Sequence, residues 1–183
     1  MVTALRTTLR LGAGSGFWGD AMDPAMELLE KEPLDYLCFD FLAELTMALL
    51  QRQKAKDPNA GYVADAVAYM KAMMPLAHAR GTRLISNGGG VNVAAAARQI
   101  TADAKALGLR RMRIAAVEGD DFLGRIEGLL KSGLPLAHMD TGATNLAERA
   151  GDIVCANVYT DSTGIVQALE QGADVVIAGR VSD

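Results

Sequence analysis

Three carboxylates stand within four consecutive positions, at Glu118, Asp120 and Asp121, directly after an apolar run. Carboxylate oxygens suit a divalent cation such as magnesium, and a carboxylate can also serve as a general base. Alternatively, Asp120 or Asp121 caps the next helix while the other acids complement its dipole. Asp40 and Glu44 follow another predicted strand and have the same two alternatives, a functional role or helix capping. Both side chains could face one cleft. We predict catalytic roles for Glu118, Asp120 and Asp40, a ligand contact at Glu44, and Glu118, Asp120 and Asp121 as ligands if a metal is bound.

A glycine-rich segment, Asn87–Asn92, follows another apolar run. Consecutive glycines let the backbone turn and expose its amide groups, and Asn92 can cap the helix predicted to follow. The start of that helix would add about half a positive charge. We predict a cradle for phosphate or carboxylate formed by Asn87, Gly88, Gly89 and Asn92. The alternative is a tight turn that needs glycine for steric reasons alone.

Residues 14–19 read Gly-Ser-Gly-Phe-Trp-Gly, the G-x-G-x-x-G pattern of dinucleotide-binding loops. In such loops the helix begins within the motif and directs its amide groups at the pyrophosphate. Here Asp23 and Pro24 resemble a helix start several residues later, and Phe17 and Trp18 crowd the backbone. We therefore favour a flexible loop that covers a ligand, with Trp18 as an apolar wall, and keep an NAD(P)-dependent oxidoreductase as the alternative. The predicted ligand contacts here are Ser15, Gly16, Trp18 and Asp20.

Activated nucleophiles are hard to find in this sequence. Ser15 occupies the fourth place of Gly-Ala-Gly-Ser-Gly rather than the third place of a nucleophile elbow. His138 precedes a turn and is a better acid–base candidate than His78, and no spacing indicates a zinc site. The absence of a nucleophile favours a lyase or hydratase over a hydrolase.

The composition excludes several classes of protein. Of 183 residues, 50% are hydrophobic and 22% are charged, with a net charge of −4, which argues against disorder and against a nucleic-acid partner. Cys38 and Cys155 lie in apolar runs and form no C-x-x-C pair, as expected for buried thiols in a reducing compartment. No stretch approaches the roughly 18 apolar residues of a membrane helix, and the N-terminus lacks a signal-peptide core. We predict a cytoplasmic homo-oligomer that does not bind membranes.

Short apolar runs alternate with segments of helical periodicity. This alternation predicts an α/β fold, with a mainly parallel sheet and helices on both faces in three layers. An open sheet is favoured, and a partial or distorted β/α barrel is the alternative. The predicted strands are 6–11, 35–40, 83–87, 113–117, 153–158 and 174–178, and the main predicted helices are 43–56, 62–80 and 93–107.

The segments that leave these strands are rich in glycine, acids and amides, whereas those that enter them are plain turns. In a parallel sheet the carboxyl ends of all strands lie along one edge, where α/β proteins bind ligands. Asn157, near the end of the predicted strand 153–158, and Arg180, after the last predicted strand, complete the set of ligand contacts. The sequence stops directly after an apolar strand, so we expect a single domain, 1–183, that is the N-terminal part of a longer protein.

Several of these runs together resemble the acyclic terpene utilisation protein A (AtuA) family. They occur in order over nearly the whole chain and are specific jointly rather than singly. Two positions depart from the family pattern, Val93, where proline is frequent, and Cys155, where serine is common. The runs are Gly14–Asp20, Asp40–Met47, Asn87–Asn92, Val117–Asp121, Ala156–Tyr159 and Gly172–Val181.

This resemblance implies a protein linked to the catabolism of acyclic terpenes such as citronellol and geraniol, whose intermediates are coenzyme A thioesters. It also implies a longer protein that continues in α/β structure. It supplies no reaction. Our first hypothesis is therefore an enzyme that acts on an acyl-CoA or branched carboxylate at the carboxyl edge of the sheet. An oxidoreductase and a non-catalytic subunit are the alternatives.

Overall fold

A computed structural model describes residues 8–182, which form a single open sheet with helices on both faces. All strand pairs are parallel, and the strands lie in the order β1-β2-β3-β5-β4. The sheet does not close, so the predicted three-layer α/β fold is confirmed and the barrel is not formed. The strands are β1 (Leu11–Ser15), β2 (Tyr36–Phe39), β3 (Arg83–Ser86), β4 (Ile114–Val117) and β5 (Val175–Ala178).

The helices connect these strands as crossovers. The sequence prediction of helices at 43–56, 62–80 and 93–107 is confirmed to within two residues at each end. Two 3₁₀ segments, Leu123–Arg125 and Leu146–Asp152, lie between β4 and β5. The α-helices are α1 (Met22–Lys31), α2 (Glu44–Lys56), α3 (Ala64–Arg80), α4 (Val93–Ala106), α5 (Ile126–Lys131) and α6 (Thr163–Glu170).

The two faces of the sheet are covered unequally. Alternate strand residues point to opposite faces, and one face supplies Leu37, Leu84 and Val175 to a core that is buried under α1, α3 and α4. On the other face α6 contacts β4 and β5. The residues of this face in β1 to β3 are half-buried, such as Cys38 and Ile85, or exposed, such as Ala13. A part of the sheet next to its carboxyl edge is therefore open to a ligand.

The first strand corrects the sequence prediction. Residues 6 and 7 of the predicted strand 6–11 lie outside the described residues, and the observed strand begins at Leu11 and runs through Gly12 and Gly14. A Cβ at position 14 would lie 2.3 Å from Cε1 of Phe39, and the pairing of β1 with β2 shifts register at this point. Gly14 is therefore needed for close packing of β1 on Phe39, and Gly12, where a Cβ would lie 2.8 Å from Leu34, for packing on leucines. In the sequence both glycines resemble loop residues.

The predicted strand at 153–158 is also wrong. This segment contributes single bridges only, with Asn157 opposite Asp121 and, just beyond it, Thr160 opposite Val181. Its side chains are half-buried or exposed, so it crosses the end of the sheet without joining it. Within residues 8–182, no helix is both long and apolar enough to cross a membrane.

Candidate functional site

The carboxyl ends of the five strands bring most of the predicted site residues to one edge of the sheet. Ser15, Asp40 and Asn87 follow β1, β2 and β3, which are neighbours in the sheet. Glu118 and Arg180 follow β4 and β5, of which β5 adjoins β3 and β4 lies on the far side of β5. The predicted juxtaposition therefore arises from the parallel strand order, and hydrogen bonds then divide these residues into two groups.

The first group is centred on the Asp40 carboxylate. Oδ1 of Asp40 accepts hydrogen bonds from Asn87 Nδ2 at 2.6 Å and from the Leu42 amide at 3.2 Å. Oδ1 of Asn87 accepts in turn from the Phe41 amide at 2.8 Å, and the Ser15 hydroxyl donates to the Asp40 carbonyl at 3.0 Å. Asp40 is therefore oriented through one oxygen, while no hydrogen bond within residues 8–182 occupies Oδ2.

A groove of about 390 Å³ adjoins this group on the half-open face of the sheet. We call it the edge groove. Its apolar wall includes Ala13, Cys38, Ile85 and Ile165. Its polar end includes Ser15, Asp40 and Asn87. Burial raises the pKa of the Cys38 thiol, so this side chain is neutral near pH 7 and adds to the apolar wall.

The glycine-rich segment has no free amide among its glycines. The Gly88 amide donates to Ser86 Oγ at 2.9 Å, the Gly89 amide to the Ala178 carbonyl at 3.0 Å, and the Gly90 amide to the Asn87 carbonyl at 3.2 Å. All three glycines are buried. The observed geometry therefore resembles the tight steric turn, and Asn87 is the residue of this segment that reaches the edge groove.

Asn92 has a different role from the predicted cap. Its side-chain amide donates to the carbonyls of Pro58 at 2.9 Å and Ala60 at 2.7 Å, and it makes no side-chain cap bond to α4. Asn92 thereby ties the α2–α3 linker to the start of α4.

The loop after β1 is held by hydrogen bonds within the loop and to α3. Oδ2 of Asp20 accepts from the amides of Gly16 at 2.7 Å and Phe17 at 3.2 Å, and the Tyr69 hydroxyl donates to the Asp20 carbonyl. Trp18 Nε1 donates to Asp65 at the start of α3 at 2.9 Å, and Trp18 does not line the edge groove. Helix α1 begins at Met22, beyond the glycine motif, so the motif lacks the helix start of a dinucleotide-binding loop.

The second group is centred on Asp120, which is only 4% exposed. Its Oδ2 accepts from Asn157 Nδ2 at 3.0 Å and from the Arg180 amide at 2.8 Å. Asp120 therefore joins the ends of β4 and β5 to the segment that carries Asn157. This carboxylate lines neither cavity of the edge.

The Arg180 side chain continues this group toward α2. Its guanidinium donates to the Leu42 carbonyl through Nη1, and through Nη2 to the Tyr159 hydroxyl at 2.8 Å and to Glu44 Oε1 at 3.4 Å. The guanidinium carbon lies 4.3 Å from the centre of the Tyr159 ring, a cation–π distance. The Tyr159 hydroxyl also donates to Glu44 Oε1.

The pKa of Glu44 is lowered by this hydrogen bond, by a hydrogen bond from its own backbone amide and by the positive charge of Arg180.

A second, smaller cavity of about 110 Å³ opens beside these three side chains. We call it the Arg180 cavity. Its remaining lining residues are Met47, Cys155 and Asn157. Tyr159 belongs to both the cavity and the hydrogen-bond group, yet the sequence reasoning did not select it. Its place two residues after Asn157 was the available signal.

The carboxylates of Glu118, Asp120 and Asp121 do not gather around a common point. Glu118 is exposed, Asp120 faces Asn157, and Asp121 accepts from the Leu123 amide at 3.0 Å. The other Asp121 oxygen lies 3.7 Å from Lys54 Nζ. Within residues 8–182, no group of three His, Cys, Asp or Glu side chains is placed to hold a metal ion.

The fold and the edge define an α/β protein with an open parallel sheet and two cavities near the strand carboxyl ends. In a comparison with known protein families, residues 9–183 match the acyclic terpene utilisation family AtuA. The chain belongs to this family, and the resemblance inferred from the motifs is confirmed. Membership implies involvement in acyclic terpene utilisation. Searches of curated proteins and of solved structures gave no match.

Proposed function

We propose that this protein binds a branched acyl thioester or carboxylate of acyclic terpene catabolism in the edge groove and acts on it as a lyase or hydratase. The observation that supports this proposal is the pairing of an apolar wall with an oriented carboxylate in one groove. At about 390 Å³ the groove falls within the roughly 300–1,000 Å³ range of small-molecule sites.

The apolar wall suits the hydrocarbon part of such a ligand. Ala13, Cys38 and Ile85 point from neighbouring strands to the same face, and they are not covered by a helix. Burying a branched chain against them removes apolar surface from water, which provides non-directional binding free energy. The acyl carbonyl then lies toward the polar end at Ser15, Asp40 and Asn87.

Asp40 is the residue of the groove best suited to acid–base chemistry. Asn87 and the Leu42 amide orient the carboxylate through Oδ1, and Oδ2 is left for a substrate proton. In the proposed step Oδ2 takes a proton from the carbon next to the thioester carbonyl, and the electron pair moves onto the carbonyl oxygen. The Ser15 hydroxyl donates to a backbone carbonyl and has no base beside it, so a covalent acyl intermediate is not favoured.

A depression beside α4 is larger, at about 500 Å³, but has a different lining. Its walls are mostly alanines, with Arg98, Thr101 and Lys105 as polar residues. None of the predicted site residues contacts it, and it contains no carboxylate for acid–base chemistry. We therefore place the proposed site in the edge groove.

The two cysteines provide a direct test, because Cys38 lines the edge groove and Cys155 lines the Arg180 cavity. We would alkylate the protein with N-ethylmaleimide at mildly alkaline pH, with and without citronellate or its coenzyme A thioester, and follow each thiol by mass spectrometry. We expect the ligand to slow alkylation of Cys38 severalfold. Ile85→Trp should abolish this protection, and Leu107→Trp on the remote surface of the protein should preserve it.

The chemical step has its own measurement. Deuterium exchange at the carbon next to the thioester carbonyl, followed by NMR, should be catalysed by the protein and lost in Asp40→Asn, while the ligand still protects Cys38. Exchange that persists in Asp40→Asn would contradict the assigned role. Unchanged alkylation of Cys38 at the highest soluble ligand concentration would contradict the site, and protection without exchange would favour the non-catalytic subunit.

A further inference from the structure

The Arg180 cavity has the donors of a carboxylate site, and a carboxylate of the chain itself already occupies them. Arg180 Nη2 and the Tyr159 hydroxyl both donate to Oε1 of Glu44. A guanidinium beside a hydroxyl is the donor set that a carboxylate ligand requires. We infer that Arg180 and Tyr159 form a second binding site, for the carboxylate of a small branched acid, and that Glu44 blocks this site until the ligand displaces it.

The Arg180 guanidinium is fixed independently of Glu44. Arg180 remains held by Nη1 on the Leu42 carbonyl and by its contact with the Tyr159 ring at 4.3 Å. The Arg180 side chain is only 14% exposed, so its position is set by the surrounding protein. A departing Glu44 thus leaves the Arg180 guanidinium in place, and Tyr159, which is 53% exposed, keeps its ring and hydroxyl contacts with that guanidinium.

Glu44, in contrast, is held less firmly than Arg180. Its side chain is 79% exposed and stands in the first turn of α2. Its contact to Arg180 is long, at 3.4 Å, and exposed ion pairs of this kind are weak. Displacement exchanges one carboxylate for another, and the ligand takes over the hydrogen bond that the Tyr159 hydroxyl donates to Glu44.

The other charged groups near the cavity already have partners. Asp120 accepts from Asn157 and from the Arg180 main-chain amide, and Asp121 lies 3.7 Å from Lys54. The guanidinium of Arg180 is therefore left to face Glu44 or its replacement. These contacts favour an anion at this one position of the cavity lining.

The size and lining of the cavity indicate the class of ligand. A volume of about 110 Å³ admits only a small acid. Met47 and Cys155 provide apolar walls opposite the guanidinium. A short branched acid such as 3-methylbutanoate fits this combination, whereas the coenzyme A group is too large for it.

This inference rests on residues other than those of the edge groove. Its test therefore separates it from the proposed function. Binding of 3-methylbutanoate would be measured by calorimetry and by protection of Cys155 from alkylation. In Glu44→Ala the affinity should rise by about two- to fivefold, because the competing carboxylate is gone. Glu127→Ala, which removes another exposed carboxylate from an ion pair with a lysine four residues away, is the matched control and should leave the affinity unchanged.

The double variant with Glu44→Ala and Tyr159→Phe should lose this gain in affinity, because the hydroxyl donor is gone. Glu44→Gln provides a second variant that keeps the length of the side chain. An unchanged affinity in both Glu44 variants would overturn the inference, as would equal strengthening of inorganic phosphate binding. Ile85→Trp, which fills the edge groove, should not change 3-methylbutanoate binding, so failure of the proposed function and failure of this inference are distinguishable.

Discussion

Gly89→Ala tests whether the glycine-rich segment is required for packing. A Cβ at this position would lie 2.6 Å from the Ala178 carbonyl oxygen and 3.0 Å from Cγ2 of Val93. The first of these neighbours belongs to the backbone of a central strand and cannot turn aside. If the segment moves away, it loses the hydrogen bond from the Gly89 amide to the same carbonyl.

The two effects together set the expected magnitude. Overpacking of a buried site costs about 1–3 kcal/mol, and a lost buried hydrogen bond adds about 1 kcal/mol. We therefore expect the free energy of unfolding to fall by about 2–4 kcal/mol. For a chain of this length, the melting temperature should fall by about 5–15 °C.

The measurement is urea unfolding followed by circular dichroism, with Gly128→Ala as the control. Nothing lies within 4 Å of a Cβ at position 128, which stands in α5. Alanine is favoured over glycine in a helix by about 0.5–1 kcal/mol, so the control should unfold like the wild type or slightly later. A Gly89→Ala protein as stable as its control would refute the packing argument. It would then favour the other interpretation of this segment, a cradle for phosphate or carboxylate.

Three further predictions concern single side chains. Asn92→Ala removes both hydrogen bonds to the α2–α3 linker and should lower the free energy of unfolding by about 1–3 kcal/mol in urea. Asp120→Asn weakens the two bonds to Oδ2 and should lower it by a similar amount, about 1–3 kcal/mol. Tyr159→Phe should raise the pKa of Glu44 toward its ordinary value, as measured by carbon-13 NMR of the carboxyl group.

The pH dependence of the Glu44 contact follows from the direction of the Glu44 pKa shift. Because folding lowers the pKa of Glu44, its contribution to stability is complete above the ordinary glutamate pKa and is lost as the pH falls through the lowered value. An unchanged Glu44 titration in Tyr159→Phe would show that the hydroxyl does not bind the carboxylate. For the two stability predictions, the exposed Asn145→Ala and Asp152→Asn are the controls, and equal losses in the controls would contradict the assigned bonds.

The sequence predicted the elements that periodicity determines. Helix α4 was expected at 93–107 and occupies Val93–Ala106, and β3 was expected at 83–87 and occupies Arg83–Ser86. Both have a clear apolar pattern with a glycine or proline break beside them. Strand β1 was misplaced because Gly12 and Gly14 carry no apolar side chain, and their reason for being in a strand is the packing of Phe39 and other side chains distant in sequence.

The sequence predicted that the site lies at the carboxyl edge of the sheet, but it did not predict which residues contact each other there. Strand alternation alone placed Asp40 and Asn87 at the same carboxyl edge of the sheet, and their 2.6 Å hydrogen bond agrees with that placement. The contact of Glu44 with Arg180 joins residues 136 positions apart. It depends on the insertion of β5 between β3 and β4, which no local pattern reveals.

The insertion of β5 into the middle of the sheet also constrains how the protein is synthesised. Within residues 8–182, β4 pairs with β5 alone, yet β5 is translated more than fifty residues later. While β4 emerges from the ribosome it has no strand to join, whereas β1, β2 and β3 can already pair in the order of their translation. A nascent chain arrested before Val175 would therefore present β4 as an unpaired apolar segment to chaperones and proteases, and the arrival of β5 would remove it from their reach.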